Sequence, residues 1–169
     1  MANRRYECKC GGIIVYALGT KPPTLCAWCK TATGLSLNVK RLRSPYSGYT
    51  VQQVTAQSKG FLGAGVNRTV FALGDDLVVK VDQRGKANHK ELNVWQSATP
   101  EIKKWLCPIV DWAEDLSWII MRRVNGVGGW SVVEKIPNTI RRSIGDVHPA
   151  NVGLLNGRAV IIDYVGGAV

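Results

Sequence analysis

The sequence predicts an α+β protein in two parts, a small cysteine-bearing module followed by a larger domain that consists of an antiparallel sheet, one helix and little else. Three observations carry this. Two close cysteine pairs lie within the first 29 residues. Short β-branched runs separated by turn signals recur from residue 60 onward. One segment, residues 86–98, has the length and composition of a helix. A chain of 169 residues with 46% hydrophobic content can bury one moderate core and a small satellite beside it.

Residues 1–35 form the first expected module, with GTKPPT as a turn between the cysteine pairs, and 36–58, polar and basic around RLRSPYSGYT, read as a linker. Residues 59–169 form the main domain. There VFAL and LVVKV flank Gly-Asp-Asp, a hairpin signal. KANHKELNVWQSA follows as a helix, with Ala87, Leu92 and Trp95 among good helix formers and Pro100 closing it. CPIVDWAED and LSWIIMRRV supply two more strands joined by an acidic turn. After the Gly-rich NGVGG, the stretch WSVVEKIPNTIRRSI has room for at most one interrupted helix, because Pro137 breaks its periodicity. NVGLLNGRAVIIDYV ends the pattern, with Asn156-Gly157 as the hairpin turn between two apolar strands.

The formal net charge is +10, and it is unevenly spread. Through Arg43 there are eight basic residues (Arg4, Arg5, Lys9, Lys21, Lys30, Lys40, Arg41 and Arg43) against one acidic residue, Glu7. Clustered positive charge of this kind is attracted to nucleic acid or to an acidic protein surface, where it releases counterions or gains screened Coulomb energy; a merely solvated basic arm is the alternative. No apolar run of membrane-spanning length occurs, and the start MANRRYECKC lacks the apolar segment of a secretory signal. A cytoplasmic protein that does not enter a membrane is expected.

Cys8 and Cys10 precede Gly11-Gly12, and Cys26 and Cys29 flank Ala27-Trp28. Two tight turns brought together by a short insert provide four thiolates for tetrahedral zinc, and the module resembles a zinc ribbon. Its first pair is CxC where the ribbon's knuckle is CxxC, so that turn has to be tighter. Two disulfides are the other reading, disfavoured in a reducing compartment. A zinc ion closed by four thiolates is structural, which leaves recognition as the module's role. Arg4, Arg5, Lys9, Lys30 and Trp28 are candidates to contact phosphate and bases, or Trp28 caps the ribbon's small core. Cys107 stands alone before Pro108 and reads as a buried small hydrophobe.

The most informative segment is IGDVHPANVGLLNGRAVIIDYV. Asp146 and Asn151 lie five residues apart, and a hairpin then leads to Asp163 behind the apolar strand AVII. Phosphoryl transfer needs a carboxylate near the attacking hydroxyl and oxygen ligands that hold magnesium against the nucleotide phosphates. The arrangement resembles the catalytic loop and metal-binding strand of the protein-kinase-like superfamily, and its Asp-Val-His-Pro-Ala-Asn wording is more similar to the aminoglycoside-phosphotransferase and atypical-kinase branch. Upstream, FLGAGVNRTVFALGDDLVVKV resembles the family's glycine-rich strand-turn-strand. The resemblance implies that Gly63 and Gly65 let the backbone approach phosphates, that Val70 covers the adenine and that Lys80 faces the α- and β-phosphates. It implies further that Glu91, eleven residues after Lys80, pairs with that lysine, that Asp146 is the catalytic base, and that Asn151 and Asp163 hold Mg²⁺ beside ATP. His148 either joins this chemistry or stiffens its loop. Each element also has an ordinary structural reading, but all five occur in family order.

The resemblance has limits. Six residues follow Asp163, and about 20 separate Gly126 from Asp146, so the acceptor-binding platform of the family is expected to be missing. The metal motif reads Asp163-Tyr164-Val165 where protein kinases have Asp-Phe-Gly. Two functions follow: a minimal ATP-dependent kinase acting on a protein, or a non-catalytic kinase-like adaptor that uses its basic ribbon to bind a nucleic-acid-associated or other acidic partner.

Overall fold

The computed structural model describes residues 3–7, 13–17, 45–82, 84–126 and 128–165. It divides into two compact units, Met1–Arg43 and Ser44–Val169. In the first, β1 (Asn3–Glu7) and β2 (Ile13–Ala17) pair antiparallel, with Arg5 opposite Val15. Cys8, Cys10, Cys26 and Cys29, and with them the zinc expectation, lie outside the described residues.

The second unit begins inside the stretch expected as a linker, and from Pro45 onward that stretch is packed structure. Thr50 opens α1 (Val51–Ala56) with a capping box: its Oγ1 accepts from the Gln53 amide at 3.3 Å while Gln53 Oε1 accepts from the Thr50 amide at 2.8 Å. Val54 is fully buried, Tyr46, Tyr49 and Val51 pack around it, and the Trp118 indole N–H donates to the Tyr49 carbonyl at 2.9 Å.

Five strands then build one antiparallel sheet in the order β3-β4-β5-β7-β6, so the protein is mixed α+β as its pattern predicts. They are β3 (Gly60–Ala64), β4 (Thr69–Leu73), β5 (Leu77–Val81), β6 (Ile109–Trp112) and β7 (Trp118–Arg122). Strand alternation puts Leu73, Val79, Val81, Trp118 and Ile120 into the core beneath α1. The same alternation turns Lys80 to the opposite face.

Between β5 and β6 run α2 (Lys86–Ser97) and the single turn α3 (Pro100–Lys103). Gly85 at the N-cap of α2 has no side chain to offer, and Asp82 does that work instead, accepting from the amides of Arg84, Ala87 and Asn88 at 3.0, 2.7 and 3.3 Å. Asn88, fully buried, donates to the Leu116 carbonyl at 2.9 Å and so ties the helix to the β6–β7 turn.

Beyond β7, Pro137 separates two short helices, α4 (Trp130–Val133) and α5 (Asn138–Ile144), which is the interruption its missing N–H imposes. A 3-10 turn at Pro149–Asn151 leads into the hairpin of β8 (Val152–Leu155) and β9 (Arg158–Ile161). Its turn residues Asn156 and Gly157 have φ of 52° and 77°, the left-handed pair that a two-residue hairpin loop requires.

Candidate phosphate-handling site

The site is assembled from two hairpins and one helix. The first hairpin, β3–β4, is closed by a turn in which the Gly65 amide donates to the Arg68 carbonyl at 2.8 Å. A β-bulge lies between Phe61 and Gly63, and nothing comes within 4 Å of where a Cβ on Gly63 or Gly65 would stand, so the backbone there is open to an approaching group. Val70 on β4 lies directly opposite Lys80 on β5.

Lys80 is buried and donates to both oxygens of Glu91, at 2.9 and 3.0 Å, and to the carbonyl of Ile162. Glu91 is fully buried on the inner face of α2. A buried carboxylate is tolerated only with partners, and Glu91 has three: Lys80, Arg68, and the Tyr164 amide at 3.4 Å.

Arg68 is the residue that sequence reasoning missed. It reaches back from the Gly-rich turn, its side chain 9% exposed, to pair with Glu91 through one guanidinium nitrogen and with Asp163 through the other at 2.6 Å. Burial alone would raise the Asp163 pKa, but Lys80 and Arg68 outweigh it and hold the carboxyl below its ordinary range. On Arg68, burial lowers the pKa while Glu91 and Asp163 raise it further, and the net shift is upward. The only signal in the sequence is a cation at the closing position of the turn, which looks like any exposed arginine.

The second hairpin carries the loop. Asn151 donates through Nδ2 to the Asp146 carbonyl at 3.0 Å, and the Ile162 amide donates to the Asn151 carbonyl at 2.8 Å. A continuous hydrogen-bonded path therefore runs from Asp146 through Asn151 and Ile162 to Lys80 and Glu91. Asp146 has a φ of 38°, uncommon for a residue with a side chain, and its carboxylate is 72% exposed with His148 Nε2 at 3.6 Å. His148 accepts the Ala150 amide on Nδ1 at 3.3 Å, which leaves Nε2 to carry the proton toward Asp146. Of the predicted residues, Lys80, Glu91, Asn151 and Asp163 are thus joined through side chain or backbone, whereas the Asp146 carboxylate makes no contact with Lys80, Glu91 or Asp163 among the described residues. Tyr164, which stands where protein kinases have Phe, is buried and donates its hydroxyl to the Cys107 carbonyl at 2.9 Å.

Beside this cluster lies a cleft of about 610 Å³ between the Gly65–Thr69 turn, the end of β5 and the first turns of α2. Among the described residues no group of three or more His, Cys, Asp or Glu side chains is placed to hold a metal, and no helix is long and apolar enough to cross a membrane. No family model matches the sequence, and no curated protein matches it.

Proposed function

We propose that the protein is a minimal ATP-dependent kinase that transfers phosphate to a protein acceptor. The observation that carries this reading is the bonded path linking Asp146, Asn151, Ile162, Lys80 and Glu91, because it joins the residues that the motif order assigns to one reaction. Lys80, fixed by Glu91, offsets nucleotide phosphate charge. The Asn151 amide is oriented by its Nδ2 bond, so its Oδ1 is the ligand atom it would offer to magnesium, alongside an oxygen of Asp163. One carboxylate, one amide oxygen and the phosphates themselves suit this ion, which neutralises charge on the transferring group when bound and does not need a dedicated cage of carboxylates. In this reading Asp146, exposed and 3.6 Å from His148 Nε2, takes a proton from an acceptor hydroxyl.

One observation favours the adaptor reading: Arg68 already neutralises Asp163 and Glu91, which is what a retained but non-catalytic scaffold would do. Calorimetry of Mg-ATP binding beside a phosphate-transfer assay separates the two. Lys80→Ala and Asp163→Ala are expected to abolish binding. Asp146→Asn should leave binding within about threefold while lowering transfer by roughly two orders of magnitude. Binding without transfer, with the cognate partner present, would establish the adaptor; no binding at all would refute both nucleotide roles.

A further inference from the structure

The cleft under the Gly-rich turn is charged in one sense. Arg84, Lys86 and Lys90 line it, and no carboxylate of the described residues forms an ion pair with any of the three. The acid on its wall, Asp82, is occupied by three backbone amides, so it neither answers these cations nor leaves the helix terminus open. Lys80, Glu91 and Asp163 do not line the cleft, which makes it a neighbour of the phosphate cluster and not part of it. Three residues connect the two: Gly65, whose open backbone lies in the Gly-rich turn of the candidate site, Arg68, which lines the cleft and pairs with Glu91 and Asp163, and Val165, whose amide donates to Asp163 at 3.4 Å.

We propose that this cleft binds an acidic stretch of the polypeptide acceptor, and that carboxylates seated in it draw Arg68 away from Asp163. The site rests on the kinase reading for the word acceptor, but its charge and shape stand apart from that reading. Its volume exceeds what a single small anion needs and lies in the range of sites that enclose several groups. Clustered cations in a concave wall raise the local concentration of an oppositely charged ligand, and the attraction falls with salt. The coupling follows from Arg68 being shared. Anionic side chains in the cleft compete for its guanidinium, and the freed Asp163 gains affinity for magnesium and nucleotide. By linkage, Mg-ATP then tightens the peptide to the same degree.

The test uses the full chain and a fluorescently labelled Glu-rich peptide of about ten residues, long enough to span a cleft of this size, with a Gln-for-Glu peptide as control. Anisotropy is expected to show salt-sensitive binding of the acidic peptide and none of the control. Lys86→Glu with Lys90→Glu should weaken binding by about tenfold or more, while Lys86→Gln with Lys90→Gln gives a smaller loss in a variant whose melting curve matches wild type. Charge reversal at Lys135, which is exposed and does not line the cleft, should leave the affinity unchanged. The proposal is overturned if the cleft variants bind as wild type does, if millimolar inorganic phosphate displaces the peptide completely, or if a single-stranded RNA binds the same residues more tightly. Mg-ATP calorimetry with and without peptide keeps the two readings distinct. Peptide binding without nucleotide binding refutes the kinase and leaves the cleft standing, and nucleotide binding without peptide binding refutes the cleft alone.

Discussion

Cys107 is buried against the Arg122 carbonyl, with Sγ at 3.1 Å, and burial pushes its thiol from an ordinary value of 9.0 up to about 12. The folded value lies above the unfolded one, so the neutral thiol contributes stability that is complete below pH 9 and lost as pH rises toward 12. Urea titrations of wild type and Cys107→Ala are expected to converge by at most about 1.4 kcal/mol per pH unit above pH 9; parallel curves would mean that the thiol ionises freely in the fold. The sequence exposed this residue's character because a lone cysteine before proline in an apolar run has few other uses. It exposed Lys80 and Glu91 too, since the strand and the helix each fix where one side chain points. Arg68 was hidden because a long side chain on a turn can reach in several directions, and only the position of two distant carboxylates selects one.

Among the elements, the β8–β9 hairpin was the most legible and α1 the least. Asn156-Gly157 admits essentially one turn geometry, and apolar runs on both sides fix the register from Val152 opposite Ile161 to Leu155 opposite Arg158. In α1, by contrast, six residues are too few to display a helical period, and the turn formers Pro45, Ser47 and Gly48 give the segment the composition of a linker. Its helicity comes from the Thr50–Gln53 capping box and from burying Val54, both of which depend on the sheet beneath. The hairpin also has a tight point. A Cβ on Gly153 would stand 2.6 Å from Val124 Cγ2 and 2.8 Å from the Gly126 carbonyl oxygen, which is backbone and cannot rotate away. Gly153→Ala is expected to destabilise the fold by about 1–3 kcal/mol through overpacking, read as a lower urea midpoint with unchanged slope. A wild-type midpoint would show that residues 124–126 give way at no cost.

For the whole molecule, the division at Arg43 separates a basic first unit from the unit that carries the Lys80, Glu91, Arg68 and Asp163 cluster. The zinc expectation concerns Cys8, Cys10, Cys26 and Cys29, which lie outside the described residues, and metal analysis of the reduced protein checks it. One equivalent per chain is expected, falling to near zero in Cys26→Ser, since such a small module couples metal binding to folding. Metal analysis that finds the same zinc content in both proteins would remove the ribbon. Fold class was legible at this scale because alternating apolar runs of strand length can be satisfied only in a sheet. The link between Asp146 and Lys80 was not legible, because it passes through backbone groups of Asp146, Asn151 and Ile162 that no sequence displays.

The β8–β9 hairpin is clasped on both sides. Asn125 and Gly128 donate their amides to Leu154 and Val152, and Cys107 and Ile161 bond to Ile161 and Trp105, all at 2.7–2.8 Å. The hairpin is therefore stitched to the segments that precede β6 and follow β7. The Gly-rich turn projects from β3, an edge strand, and Val66 at its tip is fully exposed. If that turn is the single moving part, it opens at the rate at which Arg68 lets go of Glu91 and Asp163. Hydrogen exchange would record this as early labelling at Val66 and Asn67 with late labelling at Cys107, Asn125, Gly128 and Ile161. Simultaneous labelling of both groups would instead mean that the protein opens as a whole.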